Sequence, residues 1–363
     1  MSAYVIGLDF GTDSVRAMVV NAYTGEVVYT AVEIYPRWAK GLYCNPSTSM
    51  YRQHPLDFIE SMEKCLLNVL TPCQALVKNI LGISLATTGS TPVPVNREGI
   101  PLALLPEFAS NPNAMFILWK DHTANAEAKE INDAAKIWDV DFTKYSGGIY
   151  SPEWFWSKML HVLRTDKEVA SKAFSWVEHC DWMPAVLTGN TAPLELKRSR
   201  CAAGHKAMWH EEFNGLPSEE FLEKLDSLLK GMREKLYDST YTADVTAGVI
   251  SANWAAKLGL RPDVNIGVGA IDGHFGAVGA SIEPYTIVKV MGTSTCDMLI
   301  APLDVYKHHL IKGICGQVNG SIIPGMLGME AGQSAFGDVY KWFEQIISFP
   351  LTIMSSGIMA DEE

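Results

Sequence analysis

The chain has 363 residues, of which 48% are hydrophobic and 19% charged, a balance typical of a globular protein with a large core and about two domains. Its net charge of −12 and the lack of a lysine or arginine cluster argue against a nucleic-acid partner. No apolar run reaches the ~18 residues of a membrane span, and the chain opens on a predicted strand, not a signal peptide. The seven cysteines form no CxxC pair, which favours reduced thiols and a cytoplasmic location over disulfides or zinc.

The first stretch of the chain predicts a β-hairpin. Tyr4–Leu8 and Ala17–Val20 are apolar, and the polar turn Asp9–Ser14 between them is too short for anything but a reversal. Gly11 allows close approach of the backbone to a ligand, and successive N–H groups in such a turn can bind an anion. Asp9 ends a buried strand and needs a partner, for which Mg²⁺ is one candidate. An ordinary polar turn explains this stretch equally well.

The next elements predict a sheet covered by helices. Pro55 opens a helix whose apolar residues, from Leu56 to Leu70, follow helical spacing. Ile80–Ala86 predicts a buried strand that runs into the loop Thr87–Pro92, which is rich in hydroxyl groups and contains Gly89. Sugar hydroxyls need such partners, but a plain loop is favoured on this loop alone. A further helix is predicted over Ala124–Lys136.

The middle of the chain is aromatic, and core packing is the favoured interpretation for most of its tryptophan and tyrosine residues. His205, His210 and Glu211 lie close in sequence, but their spacing does not match the HExxH pattern, so we predict no metal site there. Ser218–Leu236 predicts one continuous amphipathic helix.

A predicted strand over Ile266–Ala270 delivers Asp272 into a glycine-rich turn. An aspartate at that strand end, beside Gly273, is placed to act as a base with room for a substrate. The alternative is an ordinary helix-capping aspartate. The tract does not match GxGxxG, so a dinucleotide-binding fold is disfavoured.

A second hairpin is predicted over residues 285–301, with the turn Gly292-Thr293-Ser294-Thr295 between two apolar strands. The first hairpin carries Gly11-Thr12-Asp13-Ser14 at the same place, which suggests duplicated halves. Two such turns facing each other across a cleft would hold a polyphosphate from both sides.

Taken together, these tracts resemble the FGGY carbohydrate kinases of the sugar kinase, Hsp70 and actin superfamily. The similar tracts run over essentially the whole chain and are Gly7–Arg16, Thr88–Pro92, Leu118–Thr123, Gly147–Tyr150, Glu153–Trp156, Gly204–Lys206, Val288–Asp297 and Glu330–Asp338. The resemblance implies an α/β fold of the actin-like (ribonuclease H-like) ATPase type, with two duplicated domains around a cleft. The expected domains are residues 1–260, with sugar-binding insertions, and residues 261–363, an incomplete second domain.

The resemblance also implies an activity, the ATP-dependent phosphorylation of the 5-hydroxyl of L-ribulose in L-arabinose breakdown, with ATP and Mg²⁺. It makes Asp272 the general base and Asp9 the magnesium residue. The implied phosphate-binding residues are Gly11, Thr12, Asp13, Ser14, Arg16, Gly292, Thr293 and Ser294. The implied sugar contacts are Gly89, Lys206, Asp272 and Glu330. For Arg16, a solvated strand residue is the alternative.

Family members continue well past Glu363 and complete an adenosine pocket with a Gly-Gly loop, whereas the only Gly-Gly here is Gly147-Gly148. We therefore expect a truncated kinase with weak sugar binding, little activity alone and an apolar tail that favours self-association. The alternatives are a non-catalytic pentulose-binding fragment and a kinase for another pentulose or pentitol. An Hsp70-like ATPase is disfavoured because it leaves Asp272 unexplained. The predicted partners are L-ribulose and ATP, without nucleic acid or membrane, and a homodimer is left open.

Overall fold

The predicted α/β class is confirmed by a computed structural model that describes residues 2–292, 294–306, 309–333 and 335–358. The strands are β1 (Tyr4–Phe10), β2 (Ser14–Asn21), β3 (Val27–Ile34), β4 (Cys44–Asn45), β5 (Met50–Gln53), β6 (Ile80–Thr87), β7 (Pro92–Val95), β8 (Phe116–Ile117), β9 (Ser175–Glu178), β10 (Arg198–Ser199), β11 (Thr240–Tyr241), β12 (Thr246–Val249), β13 (Asn265–Gly267), β14 (Ala270–Ile271), β15 (Ile287–Met291), β16 (Thr295–Pro302), β17 (Gly316–Asn319) and β18 (Met326–Gln333). The helices are α1 (Pro55–Leu70), α2 (Asn125–Ile137), α3 (Phe155–Thr165), α4 (Lys167–Lys172), α5 (His179–Thr188), α6 (Arg200–Lys206), α7 (Glu219–Leu225), α8 (Ala252–Leu258), α9 (Asp272–Gly279), α10 (Leu303–Tyr306) and α11 (Gly337–Ile358).

The first sheet has the order β12-β13-β6-β1-β2-β3, and β14 also pairs with β6. The predicted hairpin is β1 and β2, which run antiparallel, while β1 runs parallel to β6 with Phe10 opposite Thr87. β14 is also parallel to β6, with Ile271 opposite Thr87. β1, β6 and β14 therefore end at the same edge of the sheet, and the segments that follow Phe10, Thr87 and Ile271 meet there.

Helix α1 packs on the first sheet, as its apolar spacing predicts. His54 precedes it and accepts a hydrogen bond from the Leu56 N–H, and Pro55 occupies the first helical position, where its missing N–H is not needed. The buried face of α1, which includes Phe58 and Met62, belongs to the same core as the apolar residues of β1 and β6. Burial of this stripe fixes the helix against the sheet.

The aromatic middle of the chain forms a second core, which confirms the packing interpretation for most of these residues. Trp156 and Trp176 are fully buried, and the Trp156 indole donates to the carbonyl of Ala207. The predicted helix over Ser218–Leu236 is wrong beyond Leu225.

The break in that predicted helix begins at Asp226, which is extended and whose side chain accepts a hydrogen bond from the Leu228 N–H. This local bond competes with helical hydrogen bonding. Gly231, farther on, has a left-handed φ of 69° that a continuing α-helix does not contain.

The second sheet has the order β15-β16-β18-β17 and is antiparallel throughout. Its first hairpin, β15 and β16, is the second predicted hairpin. Because β13 and β14 join the first sheet, residues 265–271 are structurally continuous with the N-terminal half, and the division at residue 260 stays a prediction. Within the described part of the chain, no helix is long and apolar enough to cross a lipid bilayer.

Candidate active site

A cavity of about 950 Å³ lies between the two sheets, at the edge where β1, β6 and β14 end. Most of the site residues expected from the sequence line it. They are Asp9, Gly11, Thr12, Arg16, Gly89, Asp272, Gly292, Ser294 and Glu330. Both hairpin turns therefore border a single cavity. Thr293 lies outside the described residues.

Three expected site residues are not among the described residues that line the cavity. Asp13 is exposed, and its Oδ1 accepts a hydrogen bond of 2.6 Å from the Trp38 indole. Ser14 is buried at the start of β2. Lys206 is buried and lies behind Glu330.

The first turn is held in place by side chains that are distant in sequence. The Trp119 indole Nε1 donates to the Thr12 hydroxyl at 3.0 Å, and the Gln53 amide donates to the Thr12 carbonyl at 2.7 Å. Because the indole N–H occupies an acceptor position on the hydroxyl, the Thr12 proton is directed to another acceptor. Trp119 also lines the cavity, and no sequence pattern predicted its contact with Thr12.

Asp9 and Arg16 are cross-strand partners at the cavity wall. The Arg16 guanidinium lies 3.1 Å from Asp9 Oδ2, and its side chain is 58% exposed, so it has room to swing toward a bound anion. The donor set fits Mg²⁺, because Asp9 and Asp272 present carboxylate oxygens to one cavity and repel each other there. Asp9 is the residue that would hold the ion.

Asp272 is the first residue of α9, and its Oδ1 accepts a hydrogen bond of 2.7 Å from the Gly273 N–H. Burial, with smaller contributions from the charges of Asp9 and Glu330, raises the pKa of Asp272 to about 7. The carboxyl group is thus poised to accept a proton near neutral pH. Asp272 follows the N-cap residue Ile271, and its bond goes to the next N–H in the chain, not to one two or three residues on, so the helix-capping alternative is not supported.

Glu330, on β18, contacts three basic side chains. Lys206 Nζ lies 2.8 Å and 3.0 Å from its two carboxylate oxygens, while His205 Nδ1 and His274 Nε2 lie 3.3 Å and 3.6 Å from Oε2. Burial opposes ionisation of Glu330, but Lys206 and the two histidines outweigh it and lower its pKa to about 2. A buried carboxylate therefore stays charged at the cavity wall.

The spacing of His205, His274 and Glu330 would suit a metal ion, since their ligand atoms lie within 4.8 Å of one another. The Lys206 ammonium already supplies a positive charge to both Glu330 oxygens, and a divalent cation beside it would be repelled. His210 lies elsewhere, stacked on Tyr145. Sequence spacing could not bring His205 and His274 together, because they are 69 residues apart in the chain.

Two buried charges support the loop that carries Gly89. Lys158 donates to the carbonyls of Ser90 and Leu118, at 2.7 Å and 2.8 Å, and Glu178 accepts from the Thr91 N–H at 2.7 Å. Burial lowers the pKa of Lys158 to about 8 and raises that of Glu178 to about 7. Nothing in the sequence distinguished this pair from surface charges.

Comparison with known proteins assigns the chain to a family. Residues 4–279 match the N-terminal domain of the FGGY family of carbohydrate kinases, and residues 287–355 match the C-terminal domain. The chain belongs to the FGGY family of carbohydrate kinases. It is 51% identical over 350 residues to a ribulokinase from Vibrio parahaemolyticus, and 35% identical over 350 residues to a ribulokinase from Anoxybacillus flavithermus.

The alignments cover 96% and 94% of this FGGY chain but only 62% and 60% of the two ribulokinases. Solved structures agree on the fold. A xylulose kinase from Rhodospirillum rubrum superposes with a TM-score of 0.74 at 17% identity, over 95% of this chain and 63% of that one. A glycerol kinase from Plasmodium falciparum with ADP gives 0.72 at 12% identity, over 94% and 63%. The expected actin-like fold is confirmed.

Proposed function

We propose that this FGGY protein phosphorylates L-ribulose with ATP, forming L-ribulose 5-phosphate. The observation that carries the proposal is the shared cavity, which is lined by Asp272, by the two glycine-containing turns and by Gly89 and Glu330. The identity to ribulokinases over nearly the whole chain supports L-ribulose as the sugar.

The proposed reaction needs one proton acceptor. Asp272 takes the proton from the 5-hydroxyl as its oxygen attacks the γ-phosphorus of ATP, a new O–P bond forms, and the bond to the β-phosphate oxygen breaks to release ADP. The raised pKa of Asp272 suits this role because the group can both gain and lose the proton near neutral pH. Glu330, held by Lys206, accepts hydrogen bonds from other sugar hydroxyls.

The phosphates are assigned to the turn residues Gly11 and Thr12 on one side and Gly292 and Ser294 on the other. Backbone N–H groups in such turns bind anions without adding net charge, which matters in a chain of net charge −12. Arg16 adds one mobile cation. Mg²⁺, held by Asp9, would neutralise phosphate charge when bound.

An assay of ADP release with a panel of pentuloses and pentitols, beside calorimetry of sugar binding, tests the proposal. We expect turnover with L-ribulose and a fall in turnover in Asp272→Asn. Sugar binding without any ADP release in excess ATP and Mg²⁺ would instead favour a non-catalytic pentulose binder. Turnover with another sugar alone would reassign the substrate.

Two further predictions belong to this proposal. A cytoplasmic location is supported by the seven cysteines, all of which are free thiols. A homodimer stays a prediction, and light scattering of the purified protein measures it directly.

A further inference from the structure

One hydrogen bond beside the buried Glu330 carboxylate, between Ser321 and His205, has no role in the proposed reaction. Ser321 Oγ lies 2.9 Å from His205 Nε2, and the opposite ring nitrogen, Nδ1, lies 3.3 Å from Glu330 Oε2. All three residues are buried, and His205 is completely inaccessible to solvent. They form a line from Ser321, through the imidazole, to the carboxylate that borders the cavity.

The positions of the protons in this line follow from hydrogen-bond accounting. Burial, assisted by the neighbouring His274, lowers the pKa of His205 well below its usual value, so the ring is neutral and carries one N–H. If that proton were on Nε2, the lone pair of Nδ1 would lie beside a carboxylate oxygen 3.3 Å away, although not aimed at it, and the two would repel each other. If it is on Nδ1, Ser321 donates to Nε2 and Nδ1 donates to Glu330.

The Ser321 hydroxyl has two possible acceptors, His205 Nε2 and the Val318 carbonyl, and the carbonyl is the weaker one. The Val318 carbonyl lies 3.2 Å from Ser321 Oγ, farther than His205 Nε2 at 2.9 Å. His205 Nδ1 has no well-formed hydrogen bond to any described residue, although it is buried next to an ionised acceptor. Hydrogen bonds of this kind are often long without substrate and tighten in the complex.

Packing fixes the ring in this orientation. A Cβ atom added at Gly316, which lies opposite Glu330 in the β17–β18 ladder, would meet His205 Nδ1 at 2.3 Å. A Cβ atom at Gly204, the residue before His205, would meet the Val318 side chain at 2.4 Å. The two glycines let α6 and β17 approach closely, and the imidazole is held beside Glu330.

We propose that His205 is a positioning residue for substrate binding, which donates from Nδ1 to Glu330 and is itself oriented by the Ser321 hydroxyl. Lys206 neutralises the Glu330 carboxylate, and His205 sets its rotation, so that a defined pair of lone pairs is presented to the sugar. The effect on substrate rests on the proposed function, whereas the proton arrangement does not.

The proton arrangement is tested first, without any substrate. NMR of the protein labelled with ¹⁵N-histidine distinguishes an Nδ1–H ring from an Nε2–H ring by the nitrogen shifts. We expect an Nδ1–H signal for His205, assigned by its loss in His205→Asn. An Nε2–H ring would overturn the proposal whatever the protein's activity.

Substitutions then test the positioning role. The amide nitrogen of asparagine can occupy the place of Nδ1, whereas leucine offers no donor. We expect His205→Leu to raise the KM for L-ribulose about tenfold or more while kcat changes less than about threefold, because a contact used equally in binding and reaction is lost. His205→Asn should restore most of the affinity, and Ser321→Ala should lie between wild type and His205→Leu.

The matched control is His161→Leu. His161 Nδ1 makes the same 3.3 Å contact with a carboxylate, that of Glu127, outside the cavity. This variant should lose stability without a change in KM. An unchanged KM in His205→Leu, or an equal rise in His161→Leu, would overturn the positioning role. A wild-type protein that does not bind L-ribulose would refute the proposed function and with it that role, leaving the NMR result to decide the proton arrangement.

Discussion

Asparagine at position 272 would keep the shape of the aspartate and its acceptor for the Gly273 N–H but would remove the proton acceptor. If Asp272 is the general base, kcat falls by ~10²–10⁴-fold, the usual contribution of such a group. The KM for L-ribulose should change only a few-fold, because the other proposed sugar contacts, Gly89 and Glu330, are untouched.

The pH dependence of activity is a second test of Asp272 as the general base. With a pKa of about 7, Asp272 is ionised in about a tenth of the molecules at pH 6 and about nine tenths at pH 8. Since the ionised form is the base and this pKa is that of the free enzyme, kcat/KM of the wild type should rise about tenfold between these values. The residual activity of Asp272→Asn should lack this rise.

As pH rises, the free energy of unfolding should fall while the activity rises. The pKa of Asp272 is raised on folding, from an ordinary ~3.9, so the folded protein binds the extra proton between about pH 4 and pH 7. The free energy of unfolding therefore falls as pH rises through that window, by at most about 4 kcal/mol. Because the side chain is partly exposed, we expect about 1–2 kcal/mol. Asp272→Asn should be more stable than wild type by that amount at pH 8.

The measurements are ADP release over pH 5.5 to 9 (roughly one unit beyond the expected transition on either side) and urea unfolding at pH 8. The control is Asp263→Asn, which changes an exposed aspartate ahead of β13 whose one ion-pair partner among the described residues is Arg261. Near wild-type turnover in Asp272→Asn would make Asp272 a structural residue and not the base. A variant that is less stable than wild type at pH 8 would refute the electrostatic part of the reasoning.

Three other predictions concern the surroundings of the site. Trp119→Phe removes the indole donor to Thr12 but keeps the aromatic ring, so the KM for ATP should rise about 5–10-fold with an unchanged KM for sugar, measured by steady-state kinetics. Lys206→Met leaves the Glu330 charge buried without its partner and should lower the free energy of unfolding by about 3–5 kcal/mol in urea titrations, with partial recovery in the double variant that also carries Glu330→Gln. Gly99→Ala should lower the Tm by several degrees in calorimetry without changing KM, because a Cβ atom there would lie 1.6 Å from a backbone oxygen and φ is +76°.

Sequence patterns predicted the elements that follow simple periodicity or turn chemistry. The first hairpin, helix α1 and helix α2 (predicted over 124–136) formed because local propensity and burial agree there. The helix predicted over 218–236 ends at Leu225, because the Asp226 side chain accepts a hydrogen bond from a nearby backbone N–H. Helix propensity is only a weak guide at such a position. The apolar spacing was right, but the capping chemistry decided the outcome.

The sequence predicted the turn residues of the candidate site but not the buried side chains that hold those residues in place. Asp9, Gly11 and Asp272 end strands or begin turns, positions that sequence can recognise. Lys158 and His205 lie on helices that look ordinary in sequence, and their roles arise from contacts with segments far away in the chain. Such contacts depend on how the elements pack, which no local pattern contains.

The Lys206–Glu330 ion pair has a consequence for motion. It joins α6, which packs against β14 of the first sheet, to β18 of the second sheet, and both side chains are buried. Separating the two side chains while one of them stays buried would leave an unpaired buried charge, at a cost of about 3–5 kcal/mol. The ion pair therefore holds α6 and β18 together beside Glu330, whereas the turns at Gly11 and Gly292 share no comparable bond among the described residues. Under the proposed function, a hinge movement that widens the cleft at the turns would admit and release the nucleotide while the sugar stays enclosed.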